Sequence, residues 1–514
     1  MPILNIIKLI LVVALAGYFH FFTSSGQRYP VKGNLLKTKT VAIFFGQPDG
    51  WVSWLYALIG HAVFRIESII LTRQKQEPMK KIYALGFALA LAAPAFSQNN
   101  HFDARLNPAA NKIEPKVIAW RRDLHQNPEL GNAEKRTAAL VAKHLKSLGL
   151  DVKTGVAKTG VVALLKGGKP GPVIALRADM DALPVTERVA LPFASKVKTT
   201  YNGQPVGVMH ACGHDSHVAI LMGVAEILAS MKSDLAGTVK FIFQPAEEGA
   251  PLGEEGGAEL MVKEGVLENP KVDVIFGLHV NSQTEVGQLT YRPGGTMASV
   301  NSFKITVKGK QAHGAYPWSS VDPIVTAGQI INNLQTIVSR NLNVTQNPGV
   351  VTVGSIHGGV RSNIIPEQVE MEGTIRALST ADEKMIIERV KQIALKTAES
   401  AGATAEVQIP YGTRYPVTYN DPALTQKMLP TLQRTAGAGK VVLRPPVTGA
   451  EDFSFFQEKV PGLFIFLGGM PAGKKPEEAP SHHTPDFYIE ESSFKLGVKA
   501  MCNLVLDYMQ TARP

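Results

Sequence analysis

Met209-His210-Ala211-Cys212-Gly213-His214-Asp215-Ser216-His217 places a thiol and an imidazole two residues apart in a turn broken by glycine. Both side chains can reach one metal ion, and Cys and His suit zinc and neighbouring first-row metals. The chain of 514 residues has two cysteines, and one of them lies here between histidines. A buried Cys beside surface histidines is the plainer reading of this stretch taken alone. The residues that follow fix its setting. Val218, Leu221, Met222, Ala225 and Leu228 recur at helical spacing, which predicts a helix from His214 through Met231. His214 therefore opens a helix. His217, one turn on, is expected to serve structure or to orient a ligand rather than to bind metal.

Four further clusters point to the same site. Arg177–Pro184 (RADMDALP) follows the apolar run Val173–Leu176, and Gln244–Gly249 (QPAEEG) follows Val239–Phe243. His279 ends Val274–Leu278, and Ser481–Pro485 follows Leu463–Leu467 after a Gly/Pro/Lys loop. Each run is short and β-branched or aromatic, so each predicts a buried strand. Ligands of open α/β sheets bind just beyond the carboxyl ends of the strands. Acidic and His residues placed repeatedly at strand ends read together as one shared metal site. Two adjacent glutamates, Glu247 and Glu248, ordinarily mean a solvated turn. Their strand-end setting reverses that.

A length of 514 residues allows two or three domains, and 45% hydrophobic with 19% charged residues is globular composition. The net charge of +10 suggests nucleic acid until its distribution is read. Residues 1–97 hold ten Lys and Arg against three Asp and Glu, and so supply +7 of it. No basic stripe with interleaved aromatics follows, which argues against a nucleic-acid partner. Met79-Lys80-Lys81, the apolar run Ile82–Ala92 and small residues at Ala93, Ala95 and Ser97 match a secretory signal peptide cleaved after Ser97. The expected location is periplasmic or secreted. Residues 1–78 precede that signal, and Ile3–Phe22 is long and apolar enough for a membrane span. They are either an upstream extension, with translation starting at Met79, or a membrane anchor. Cys212 and Cys502 are expected to be unpaired thiols, Cys502 within the apolar helical pattern Phe494–Met509.

Residues 112–149 predict helices with a break near Asn127-Pro128, and strands and helices then alternate to about residue 290. That alternation implies a mostly parallel sheet covered by helices. From residue 299 the pattern changes. Phe303, Ile305 and Val307 alternate as a half-buried strand, Asp322–Arg340 is helical with Asp322 as cap, and Val350–Ile356 and Val369–Ile375 are strands. Ala381–Ala401 is helical and Thr404–Ile409 is a last strand. The order β-α-β-β-α-β is the ferredoxin-like split unit. It is an insert, because site-like motifs resume in Gly449–Phe453 and His482-His483. The expected division is 1–78 extension, 79–97 signal peptide, 98–298 catalytic domain, 299–412 insert and 413–514 remainder of the catalytic domain.

RADMDALP, MHACGHDSH, FQPAEEG, GLHV and SHHTPDF, with GKQAHGAYP and GGVRSNIIP in the insert, resemble the M20 family of metallopeptidases. The resemblance is closest to its amidohydrolase branch of aminoacylases, hippurate hydrolases and auxin-conjugate hydrolases, and covers about residues 112–510. It implies a catalytic domain with two adjacent divalent ions per subunit and an inserted lid that commonly dimerises. Zinc or manganese are the expected metals, with cobalt or nickel also suited. By motif, Cys212 would bridge the ions, and His214, Glu248, His279 and His483 would be the remaining ligands. The His-Ser/Thr-Pro pattern selects His483 over His482. Glu247 would be the general base. Asp179 and Asp181 stand where other branches use a His and an Asp, and are expected to orient a ligand from behind. Glu451 is expected to act in the same indirect way. His313, Asn363 and Arg376 of the insert would contact substrate and transition state. From the residues alone, His313 also reads as a turn residue, Asn363 as a turn cap before Ile364-Ile365-Pro366, and Arg376 as an ordinary sheet-surface arginine.

The chemistry follows from the residue types. Water between two cations loses a proton near neutral pH. A carboxylate beside a ligand, such as Glu247, can accept that proton and pass it to the leaving amine. Arg376 can bind both oxygens of a substrate carboxylate. The expected activity is hydrolysis of N-acyl or N-aroyl amino acids, a small-molecule or short-peptide substrate. The alternatives are a carboxypeptidase or dipeptidase, and a ligand-binding protein without catalysis.

Overall fold

The computed structural model describes residues 102–511. The apolar extension and the signal-peptide pattern lie outside them. Helices α1 (Asp103–Gln126) and α2 (Lys135–Ser147) come first. The predicted start of α1 at residue 112 is late. The buried stripe Leu106, Ala110, Ile113 and Val117 carries the helix through Pro108 and Pro115. Then follow β1 (Asp151–Val156), β2 (Gly160–Lys166), β3 (Lys169–Asp179), α3 (His214–Ser230), β4 (Ala236–Gln244), β5 (Val274–Glu285) and β6 (Leu289–Tyr291).

The insert contains β7 (Val300–Lys308), α4 (Pro323–Thr336), β8 (Gly349–Gly358), β9 (Gln368–Ala377), α5 (Thr380–Ser400) and β10 (Thr404–Gln408). Its strands run β8-β9-β7-β10, every neighbour antiparallel. This is the split unit expected from the pattern. Phe303, Ile305 and Val307 are fully buried against Ile330, Leu334, Ile386 and Val390 of the two helices. Asp322 caps α4, accepting from the Ile324 N–H at 2.8 Å. Arg414 and Tyr415 still belong to this sheet, paired with Asn301 and Val300.

The chain ends with α6 (Pro422–Ala436), β11 (Val441–Leu443), β12 (Gly462–Met470) and α7 (Phe494–Thr511). The main sheet has the order β1-β2-β4-β3-β5-β12-β6-β11. Its centre, β4-β3-β5-β12, is parallel, as is the edge pair β6-β11. The pairs β1-β2, β2-β4 and β12-β6 are antiparallel, so the sheet is mixed rather than mostly parallel. Loop length is the reason. Three residues join β1 to β2, and three join β5 to β6, which is enough to reverse the chain but not to cross over the sheet. Strand β12 enters between β5 and β6 and must be parallel to one and antiparallel to the other.

One face of the sheet packs on α1, α3 and α7 through Val117, Leu221, Phe276, Leu463, Ile465 and Leu504. The other carries Ile242, Ile275, Phe453, Phe464 and Phe466. Because β4, β3, β5 and β12 are parallel, their carboxyl ends share one edge of the sheet. Among the described residues no helix is long and apolar enough to cross a membrane. Cys502 is buried in α7, and both cysteines are free.

Candidate metal centre

Five side chains meet at that shared edge. Gly213 turns the chain into α3 with φ +95°, and a Cβ there would lie 2.4 Å from Val280 Cγ2, so only glycine fits. The turn sets Cys212 on one side and His214, the first helical residue, on the other. Cys212 Sγ lies 3.4 Å from His279 Nε2 and 3.3 Å from His483 Nε2. His483 Nε2 lies 3.0 Å from Glu248 Oε1. His214 Nε2 lies 3.8 Å from Glu247 Oε2 and 3.9 Å from Glu248 Oε1. Among the described residues five groups of side chains lie close enough to hold an ion: Cys212 with His214 and His279, Cys212 with Glu248 and His483, His214 with Glu247 and Glu248, Asp179 with His214 and His217, and Glu247 with Glu451 and Asp452. Cys212 is common to the first two. His483 and Ala246, which precedes the glutamates, both have positive φ, +64° and +50°. Such strain persists at non-glycine residues where surrounding contacts impose it, and it gathers at functional sites.

The hydrogen bonds behind these atoms orient them. His214 Nδ1 is 2.9 Å from the Asp181 carbonyl and 3.2 Å from its carboxylate. The Asp181 carboxylate also accepts from the Glu248 N–H at 2.9 Å. His279 Nδ1 donates to the Val280 carbonyl at 2.5 Å, which leaves its Nε2 lone pair facing Cys212. His217 uses both ring nitrogens, Nδ1 toward Asp179 at 2.5 Å and Nε2 accepting from the Val280 N–H at 2.8 Å. It has no lone pair left for a metal. His482 Nε2 accepts from the Ser282 N–H at 3.2 Å, and its Nδ1 stands 3.7 Å from Cys212.

Burial alone would depress the His214 pKa, but Asp179, Asp181 and Glu248 outweigh it and push the value up to about 10. The Cys212 thiol goes well above its ordinary range through burial and the carboxylates Glu248 and Glu247. Burial, then Glu451, Glu248 and Asp452, likewise raises Glu247 well above the usual carboxylate range. The carboxylates that raise these groups concentrate negative charge around the imidazole and thiol donors, which is a setting that stabilises a bound cation. His214 Nε2 is buried with no hydrogen-bond partner, and Glu248 Oε1 is buried with His483 Nε2 3.0 Å away. Buried polar atoms are seldom left unpartnered, as His214 Nε2 is, and these two face each other. A divalent cation satisfies them, and the mixed S, N and O donor set fits the transition metals named above.

The chain matches the model of peptidase family M20/M25/M40 over residues 175–507. The chain belongs to peptidase family M20. Thermostable carboxypeptidase 2 of Saccharolobus solfataricus is 40% identical over 405 residues, covering 79% of this chain and 98% of that protein. N-acetylcysteine deacetylase of Bacillus subtilis is 38% identical over 407 residues, covering 79% of this chain and 100% of the relative. The crystal structure of Bacillus subtilis YXEP, a dinuclear metal binding peptidase of this family, superposes with a TM-score of 0.65 at 35% identity, over 78% of this chain and 99% of that one. This protein is a metal-dependent hydrolase of the M20 type.

In this M20 enzyme one side-chain cation, Arg177, holds the acidic floor of the site. Arg177, in β3 and 2% exposed, donates to Asp179 at 2.6 Å, Glu451 at 2.8 Å, Asp452 at 2.9 Å and Gln244 at 2.8 Å. Glu451 pairs with Arg177 and lies close enough to Glu247 to share an ion with it and Asp452. Arg177, Asp452, Glu134 and Tyr415 carry no assignment in the sequence analysis. An arginine inside an apolar strand was a signal for the first. Glu134 is buried and accepts from the Ala246 N–H at 2.8 Å, and burial raises its pKa to about 7. The insert residues stand apart from the cluster. Ala312–His313 pairs with Ile364–Ile365, and the Gly314 N–H donates to the Asn363 carbonyl at 2.8 Å, so His313 and Asn363 are neighbours. Both are exposed. Arg376 lies in β9 opposite Val350. Among the described residues no hydrogen bond or ion pair joins these three to the five clustered side chains.

The buried thiol has a measurable consequence. A protonated Cys212 gives up its proton to become a ligand, so metal uptake near neutral pH releases it. Calorimetry of the metal-free protein in buffers of different ionisation enthalpy is expected to show about one proton fewer released by Cys212→Ser, with affinity lowered at least ~10–100-fold, the range seen even for groups behind the ligands. Unchanged affinity and proton release would remove Cys212 from the ligand set.

Proposed function

We propose that the protein hydrolyses the amide bond of N-acyl or N-aroyl amino acids, with Cys212, His214, Glu248, His279 and His483 holding two divalent ions and Glu247 as the general base. The observation that carries this reading is the buried Glu247 carboxylate 3.8 Å from the unpartnered His214 Nε2, on the same turn as Glu248. Bound ions supply Lewis acidity toward water and toward the amide carbonyl. Glu247 takes the proton from the attacking water and delivers it to the departing nitrogen. Asp181 holds His214 and the Glu248 backbone in place, and Asp179 holds His217 and, through it, the peptide next to His279. Relatives that include a deacetylase of N-acetylcysteine support the acyl-amino-acid substrate. A carboxypeptidase reading is favoured by the relative named for that activity.

His313, Asn363 and Arg376 act in this reading from the insert as a mobile lid, and β8, at the open edge of its sheet with Val350 and Ile356 exposed, is the surface of a homodimer. Arg376 is half-buried without an acidic partner among the described residues, which suits it to a substrate carboxylate. A panel of hippurate, acetyl-amino acids, dipeptides and their amidated forms tests the assignment. Acyl-amino acids with a free carboxylate are expected to be the best substrates. Arg376→Ala is expected to raise their KM about 10–100-fold, the ~1.5–3 kcal/mol of a charged hydrogen bond, with kcat little changed. Equal cleavage of amidated and free acids overturns the carboxylate contact, and preference for dipeptides selects the peptidase reading. Sedimentation of the purified protein checks the dimer. We also propose export through residues 79–97, checked by mass spectrometry of the native N-terminus.

A further inference from the structure

The turn that carries Glu247 is clamped from several sides. Ala246, in the left-handed region, donates its N–H to Glu134. The Glu248 N–H goes to Asp181, and the Asp452 N–H reaches Glu247 Oε1 at 3.3 Å. These clamps belong to the main-sheet half of the molecule. One contact comes from elsewhere. The Tyr415 hydroxyl donates to the Glu247 carbonyl at 2.7 Å. Tyr415 stands where the chain returns from the insert, and its backbone pairs with Val300, where the chain leaves for it. Its ring packs edge-on against Phe455 at 6.2 Å. Burial and the nearby carboxylates, Glu247 first, keep the phenol well above its ordinary pKa, so the hydroxyl stays a donor.

Resting on the reading of Glu247 as proton acceptor, we propose that Tyr415 is a positioning residue for Glu247, its hydroxyl fixing the Glu247 peptide from the root of the insert. A strained turn returns toward relaxed backbone when a buried partner is lost. Small displacements of a reacting group are costly in rate even when the group itself is intact. The root of the insert thereby enters the geometry of the proton transfer.

The test uses the metal-loaded full chain. Tyr415→Phe removes one oxygen and keeps the ring on Phe455. Its kcat is expected to fall about five- to tenfold, the factor for one lost hydrogen bond, with KM and bound metal unchanged. The same change in a Glu247→Gln background is expected to alter the residual turnover by less than about twofold, because the group it positions no longer accepts a proton. Normal kcat in Tyr415→Phe overturns the proposal. So does an equal loss in both backgrounds, which marks a general structural effect, and so does loss of fold or of metal, which places the hydroxyl in assembly. Full turnover in Glu247→Gln alone removes the general-base reading, and the positioning role falls with it. An inactive Glu247→Gln beside an unaffected Tyr415→Phe removes only the role of Tyr415.

Discussion

Glu247→Gln is expected to keep its fold and its metal while turnover falls ~10²–10⁴-fold, the range for loss of a general base. The amide matches the carboxylate in shape and can still accept the Asp452 N–H at Oε1. It cannot take a proton from water. The side chain is 6% exposed, and burial with Glu451, Glu248 and Asp452 raises its pKa, Arg177 opposing them. A cation held by His214 and Glu248 would oppose them further and favour the ionised carboxylate that a base requires. Single-turnover kinetics with metal analysis on the purified variant measure both quantities. Near-normal turnover with metal retained would sink the assignment. Loss of metal instead would exchange the roles of Glu247 and Glu248.

Arg177→Met is expected to cost about 3–5 kcal/mol of stability, the range for breaking a buried ion pair from one side. Arg177 is 2% exposed and meets three carboxylates that are themselves almost fully buried. A thioether of similar length fills space but leaves Asp179, Glu451 and Asp452 facing one another. Asp452 is pushed up to about 8 by burial, Arg177 lowering it and Glu451 raising it. A carboxyl raised on folding holds a proton that the unfolded chain has lost, so its contribution declines as pH climbs from about 3.9 toward 8. Removing the cation raises it further, so the loss in Arg177→Met is smallest in acid and grows toward pH 8. Denaturant unfolding of metal-free parent and variant across that range reads the difference. A loss below about 1 kcal/mol, or one that shrinks as pH rises, would overturn the account.

Local patterns carried much of this structure. The helix opening at His214, the split unit of the insert and the Asp322 cap all follow from spacing and residue type over fewer than twenty positions at a time. Cys212, His214, Glu248 and His279 stand near strand ends or a helix start, which marks them as site-like, whereas their roles as ligands and the choice of His483 rest on the resemblance to M20 motifs. Arg177 with Glu451, Glu134 with Ala246 and Tyr415 with Glu247 were not legible. Each joins residues more than a hundred positions apart, and nothing in the local sequence of either partner identifies the other. The antiparallel strands were missed for a related reason. Alternation of strands and helices describes the crossovers, whereas β1-β2 and β5-β6 turn back through three residues. His217 illustrates a limit within a motif, since a third histidine on the same turn is spent on Asp179 and the Val280 peptide.

Strand β12 lies between β5 and β6 although nearly two hundred residues separate it from β5 in the chain. During synthesis β5 and β6 emerge early, yet the strand that separates them arrives after the whole insert. The insert draws its sheet and both helices from one continuous stretch, so it can complete its own core first. The main sheet stays open until about residue 470 has appeared, and His483 follows later still. Contacts of such sequence separation make for slow assembly. A ribosome-bound or truncated chain ending before β12 therefore lacks both a central strand and one corner of the side-chain cluster, and the late segment from Gly462 to His483, not the first domain made, decides when the catalyst comes into being.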